Sequence, residues 1–297
     1  MHQKGTSILF LFLTITIALF SCVTQKKVAT VKKEITTVDS QLQQYGSNLK
    51  QLESQSRSKQ EQNEMDDTAN ARIQKFIANT NASIAALHAQ NMIVVGNTAV
   101  NRADWEKLVR SLSLSRKSSK QIGEKIVFLT DLVNQNLVIK IDQDIIFEPG
   151  QYTVTPPMAE AIVRFFEPPA KEIDQFIKKY PDFPLSIVIT AKGYADGTSI
   201  SEGSVLYKDL KARLTLAGKE PDNKELNKEL SRARAKEIIT LFQKFAATQS
   251  ANGSYLNNVL YVYEGKGETI PDPKIPDYRI DDPRRRVVLL FWSIFPE

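Results

Sequence analysis

Cysteine occurs once in the 297 residues, at Cys22, and histidine twice, at His2 and His88. A single thiol excludes an internal disulfide. With His88 the one histidine beyond the N-terminal segment, cysteine–histidine nucleophile pairs and the usual zinc-ligand sets are excluded too. No metal and no cofactor is expected. Proline is absent before Pro149 although the chain holds 13, and the first 148 residues carry only Gly5, Gly46, Gly96 and Gly123. A stretch so poor in helix breakers reads as mainly helical, and the change at Pro149 marks the passage into a mixed domain. A large excess of one charge is lacking as well: 39 basic residues against 34 acidic give +5 and a pI near 9.0, spread along the chain. That is a surface property rather than a nucleic-acid footprint, and no nucleic-acid partner is expected.

Long apolar runs are limited to one. Lys4 precedes Ile8 to Phe20, and Ser21-Cys22 follows. Thirteen residues at ~1.5 Å each make only ~20 Å of helix, short of the ~30 Å hydrocarbon core, so the run reads as a secretory signal over residues 1–21 rather than a membrane span. The ending Leu19-Phe20-Ser21-Cys22 resembles the bacterial lipobox, which implies that Cys22 is acylated and becomes the mature N-terminus. Two or three acyl chains anchor a protein stably, where one binds only marginally. Residues 22–30 then form a lipidated linker.

Residues 31–135 read as a helical, coiled-coil-like spacer. Val31, Ile35, Val38, Leu42, Tyr45, Leu49 and Leu52 alternate in steps of four and three, and Ile73, Ile77, Thr80, Ile84 and Leu87 repeat the pattern in frame. Between the blocks the seam is polar, at Ser56, Lys59, Asn63, Asp66 and Asn70. A helical hairpin, one long frayed helix and a disordered Gln/Ser-rich linker all fit this pattern. Further helical stretches surround Trp105, Leu108, Val109 and Leu112, and run through Ile126, Leu129, Leu132 and Val133.

Beyond residue 135, strand-like runs alternate with helical ones. Strands are expected at 137–141, 144–147, 185–191, 259–263 and 287–292. One helix is expected from near Pro157 to Tyr180, interrupted at Pro168-Pro169. A second spans Asn227 to Phe245, with Ser231 as its N-cap and Leu230, Ile238, Leu241, Phe242 and Phe245 on one face. This order predicts an α+β fold, a two-layer sandwich of helices on a mixed four-stranded sheet.

Five motifs in one order over residues 136–295 resemble the OmpA-like C-terminal domain family. They are Phe147 closing a strand; Gly193-Tyr194-Ala195-Asp196; Asn227-Lys228-Glu229-Leu230-Ser231-Arg232-Ala233-Arg234-Ala235; Gly265-Lys266-Gly267-Glu268-Thr269-Ile270-Pro271; and Arg285-Arg286-Val287. The resemblance implies noncovalent peptidoglycan binding by an outer-membrane-anchored lipoprotein, its protein portion facing the periplasm. It assigns the diaminopimelate of the stem peptide to Asp196 and Arg234, with Tyr194, Asn227, Arg285 and Arg286 around them. The chemistry agrees independently, because that ligand ends in an ammonium and a carboxylate and needs one fixed anion and one fixed cation.

The sequence departs from the family at three places. Ala195 stands for threonine, Arg284 for asparagine, and the stretch 197–226, with Leu206, Leu210, Leu214 and Leu216, is longer than usual. Such an insertion can add a helix that covers the site or recruits an envelope protein. A scaffold subunit of an envelope machine on the same fold is therefore the alternative function. No enzymatic activity is expected: no acid pair marks a glycosidase, and Gly265-Lys266-Gly267 lacks the Gly-Lys-Ser/Thr ending of a phosphate loop.

Overall fold

The computed structural model describes residues 25–96, 102–135, 137–142, 147, 150–214, 219–251 and 259–296. Cys22, the apolar run before it and residues 144–146 of the second expected strand lie outside them. The fold is mixed α+β, with N-terminal helices followed by helices packed on a mixed sheet. Its elements are α1 (Gln25–Glu61), α2 (Asp67–Gly96), α3 (Arg102–Gln135), β1 (Leu137–Asp142), α4 (Pro156–Lys179), β2 (Leu185–Gly193), α5 (Val205–Arg213), α6 (Asn223–Ala251), β3 (Val259–Gly265) and β4 (Val287–Pro296).

Contacts divide the chain into two compact units. One draws on the chain up to Gln51 and on Ile77–Val127; the other on Leu52–Phe76 and Phe128–Glu297. In the first, Ile35 of α1 packs with Leu108 and Leu112 of α3, flanked by Val28, Val31, Val94, Val95 and Trp105. Val38, Leu42 and Leu49 continue the buried seam, with half-buried Tyr45 between the last two. The α3 seam runs through Leu108, Leu112, Ser115, Ser119, Ile122 and Ile126, all buried, whereas Val109 is exposed. Asp39, buried on α1, accepts a hydrogen bond from the Asn91 side chain at 2.8 Å and lies 3.4 Å from His88 Nδ1.

The second unit opens on the reversal between α1 and α2, which makes these helices a hairpin. Asn63 adopts φ 55°, Glu64 N–H donates to the Lys59 carbonyl at 2.7 Å, and Asn63 N–H to Gln60 at 3.0 Å. That pattern is a Schellman stop, with asparagine in the left-handed position. Asp66 then caps α2 by accepting from Thr68 N–H at 2.9 Å. The polar interruption of the heptads is therefore the turn itself. Its polar groups are paired: Ser56 Oγ donates to Asn70 Oδ1 at 2.6 Å, and Lys59 Nζ to the Val133 carbonyl at 2.9 Å.

The sheet has the order β1-β4-β2-β3. Its centre is β4-β2-β3, with β2 antiparallel to β4 and parallel to β3, and β1 lies antiparallel along the outer edge of β4. Side chains alternate between faces. On one face Trp292 meets Phe166 of α4 and Phe242 of α6, at 6.3 and 4.6 Å between ring centroids, and Phe242 also meets Tyr261. Helix α4 runs unbroken through Pro168 and Pro169, contrary to the expected interruption. Its apolar positions Ile162, Phe166, Ala170, Ile173 and Phe176 are all buried on that continuous helix, so packing outweighs the lost backbone bonds.

The opposite face is covered too, so the two-layer expectation understates the unit. Lys192, buried on β2, places Nζ 3.2 Å from Asp66 and 3.1 Å from Asp67, and 4.8 Å from the Phe291 ring centroid. Arg72 of α2 stands over Phe295 at 5.9 Å. Burial pushes the Asp67 carboxyl up, but hydrogen bonds from Gln60 and Lys192 with the lysine charge outweigh it and hold it below the usual range.

Removing one member of a buried pair leaves the other charge uncompensated. Lys192→Met is expected to cost ~3–5 kcal/mol in urea unfolding of the full chain, and a second change, Asp66→Asn, to recover much of that loss while preserving the helix cap. A single Lys192→Met variant as stable as the parent would show that Asp66 is solvated.

Candidate functional site

The site is built around the first half of α6. Asp222 and Glu225 form a capping box: Asp222 N–H donates to Glu225 Oε2, and Glu225 N–H to Asp222 Oδ1, both at 2.8 Å. The helix thus starts at Asn223, and the expected cap at Ser231 is corrected. Ser231 lies inside the helix, fully buried, donating to the Lys228 carbonyl at 2.8 Å and accepting from Gly267 N–H at 3.0 Å. Arg234 accordingly stands well beyond the first turn, and helix-dipole strain plays no part in its placement.

What lets α6 lie so close to the strand ends is a pair of glycines in register, Gly193 on β2 and Gly265 on β3. A Cβ on Gly193 would stand 2.0 Å from the Ser231 carbonyl oxygen, and one on Gly265 2.2 Å from that of Lys228. After the strands, Lys266 N–H donates to Gly193 and Ala195 N–H to Gly267, at 2.8 and 2.7 Å, tying the two loops together.

Beside this junction is a cavity of about 570 Å³, lined by Asp196, Asn227, Arg234 and Arg286 together with Phe147, Ala195 and Leu230. Asp196 is buried at 7% exposure; it accepts from Thr198 N–H at 3.3 Å and Thr198 Oγ1 at 2.9 Å, and lies 3.6 Å from Arg286 Nε. Arg234, also 7% exposed, sets its guanidinium 5.2 Å over the Phe147 ring and donates through Nε to the Gln151 carbonyl at 3.1 Å. The aromatic face and the carbonyl fix the fork in place. Asn227 donates to the Thr198 carbonyl at 3.2 Å and to Glu268 Oε1 at 2.9 Å, bracing both loops.

Two expected site residues stand elsewhere. Because Gly193 faces α6, Tyr194 falls on the opposite side of the strand, where it packs with Val287, Leu289 and Phe291. Burial, with Asp67 and Glu264 nearby, pushes its phenol well above the ordinary value. Arg285, 8% exposed, donates to the carbonyls of Glu268, Arg279 and Ile280, so it holds the 268–280 loop rather than lining the cavity. Arg284 also turns away, onto Asp282 at 2.6 Å and Asp277 at 3.3 Å. Its hydrogen bonding holds the Asp282 carboxyl far below the usual carboxylate range.

The insertion supplies a wall of the cavity. Thr198, Ser199, Ile200, Ser201, Ser204 and Leu206 line it, and Ser204 caps α5 by accepting from Tyr207 N–H at 3.0 Å. Leu210 packs with Leu226 and Leu230 of α6, which seats α5 against the site. Tyr152 is bonded to Asp209, with Arg213 stacked 4.3 Å over its ring. The serine-rich run Thr198-Ser199-Ile200-Ser201 was the sequence signal for this hydroxyl-bearing wall. Leu216 lies outside the described residues.

Chemically, the cavity presents one carboxylate, two guanidiniums and a row of hydroxyls, a surface for a zwitterionic or carboxylate-bearing ligand. No family model matches this chain, and no curated protein matches it. Among the described residues no helix is long and apolar enough to cross a membrane, and no group of three or more His, Cys, Asp or Glu side chains is arranged to hold a metal.

Proposed function

We propose that this chain is an OmpA-like lipoprotein that binds peptidoglycan noncovalently, with Cys22 acylated in the outer membrane. Asp196 takes the ammonium of the diaminopimelate side chain and Arg234 its carboxylate, while Asn227 and Arg286 hold the rim. The observation that carries this reading is the convergence of Asp196 and Arg234, both nearly buried, on one cavity. An arginine held over Phe147 and an aspartate held by Thr198 are preorganised, so little ordering cost is left for binding. Each charge-assisted contact is worth ~1.5–3 kcal/mol, which places a free ligand in the millimolar to high-micromolar range. Firm attachment then comes from many anchored copies facing a dense polymer.

Asp196→Ala and Arg234→Gln are each expected to lower binding to purified sacculi about 10- to 100-fold, measured by co-sedimentation. Thermal melting of each variant separates lost contact from lost fold, since Arg234 also holds the Gln151 carbonyl. Folded variants that sediment like the parent would overturn the assignment and favour the scaffold function.

A further inference from the structure

Helix α6 carries a second charged surface that the diaminopimelate contacts leave unused. Lys224, Lys228 and Arg232, spaced by four, line an open groove of about 820 Å³ with Lys266, Tyr263, Glu264 and Glu268. Four cations against two carboxylates leave +2, and the acids are already engaged: Glu264 by Lys266 at 2.6 Å, Glu268 by Asn227 at 2.9 Å. Neither Lys224 nor Lys228 has an ion-pair partner among the described residues. Arg232 lies 5.1 Å over the Tyr263 ring and 3.6 Å from Glu229. Gly265 and Gly267 let α6 lie close against the end of β3, which keeps these cations beside the 263–269 stretch.

The groove adjoins the cavity. Asn227 lines the one, Glu268 the other, and their hydrogen bond forms the ridge between them. At 3.6 residues per turn and ~1.5 Å rise, Lys224, Lys228 and Arg232 stand about 60–140° around the helix from Asn227, about 7–14 Å away over a cylinder of about 5 Å radius. Two to four extended residues span about 7–14 Å.

We infer that this groove is a second subsite of the same ligand, taking a stem-peptide carboxylate that lies outside the diaminopimelate side-chain end. Two groups have this chemistry: the α-carboxylate of the D-glutamate joined through its γ-carboxyl, and the carboxylate ending the peptide beyond diaminopimelate. The inference rests on the proposed diaminopimelate site and extends its specificity to the charge state of the wall.

The test titrates the full chain with soluble muropeptides: a disaccharide tetrapeptide, the same compound amidated at the D-glutamate α-carboxyl, and the same compound amidated at its C-terminal carboxyl. The parent is expected to bind the unamidated tetrapeptide about 3- to 10-fold more tightly than at least one altered form, from a few exposed charge contacts. Which form loses affinity identifies the carboxylate. The triple variant Lys224→Gln, Lys228→Gln, Arg232→Gln is expected to bind all three alike. Equal parental affinity for the three, with Asp196→Ala abolishing binding of each, overturns the subsite and leaves the diaminopimelate site standing. No binding of any muropeptide overturns both.

Discussion

A fragment beginning at residue 136 is expected not to fold stably, although it holds every strand and every expected ligand contact. The second compact unit includes Leu52–Phe76 and Phe128–Gln135, which such a fragment lacks. On the sheet face opposite α6, Tyr194, Val287, Leu289 and Phe291 form a buried cluster, and Phe295 is 5% exposed beside Arg72. Phe128 adds a second loss, since it stacks on Phe183 at 4.2 Å and meets Phe176 and Tyr180. Fully burying a large apolar side chain contributes ~1.5–3 kcal/mol, so uncovering even half of this set removes an amount comparable with a domain's whole ~5–15 kcal/mol. Lys192 would also lose both aspartates. Near-UV circular dichroism and dye binding compare the fragment with the full chain. A monomeric fragment with sharp aromatic signals and an equal melting temperature would show that the hairpin tip is dispensable.

That dependence was only partly visible in the sequence. Period-3.5 apolar spacing located the seams of α1 and α2, because those residues pack against other helices. The polar break between them fitted several readings, since only geometry tells a turn from a frayed stretch; Asn63 and Asp66 carried the stop and the cap. One signal was in plain sight. Lys192 ends the apolar run Ile187-Val188-Ile189-Thr190-Ala191, and a lysine at such a position needs a partner charge on the face it points to. Likewise, alternation puts Tyr194 opposite Gly193, and with Gly193 against α6 its ring falls on the other face. The motifs located Asp196, Asn227, Arg234 and Arg286 at one cavity, but Arg285 reads the same in sequence and differs only in which carbonyls surround it. Ser231 resembles a cap in sequence for a related reason. Serine favours both N-caps and backbone contacts inside helices, and the capping box at Asp222 and Glu225 decides between them.

Gly193→Ala is expected to be among the most damaging single-methyl additions in the molecule. The new Cβ would meet the Ser231 carbonyl oxygen at 2.0 Å and its carbon at 2.8 Å, with Ala235 Cβ at 3.4 Å. The two nearest are helix backbone atoms, and Ser231 cannot retreat alone, because its hydroxyl also holds Gly267 N–H. Relief requires α6 to lift from the ends of β2 and β3. Overpacking of this kind costs ~1–3 kcal/mol and at times more; a backbone obstacle on both sides of a registered glycine pair places this case at ~3 kcal/mol or above. The same lift would carry Asn227 and Arg234 away from Asp196, so sacculus binding should fall with stability. Two control substitutions separate close approach from other glycine effects. Gly203→Ala, at φ 79° with open space around it, should cost only ~1–2 kcal/mol through its left-handed backbone. Gly46→Ala, inside α1 with nothing within 4 Å, should stabilise by up to ~1 kcal/mol. Urea unfolding of the three variants gives the ranking, and a Gly193→Ala chain as stable as Gly203→Ala would show that α6 can move off the strands at little cost.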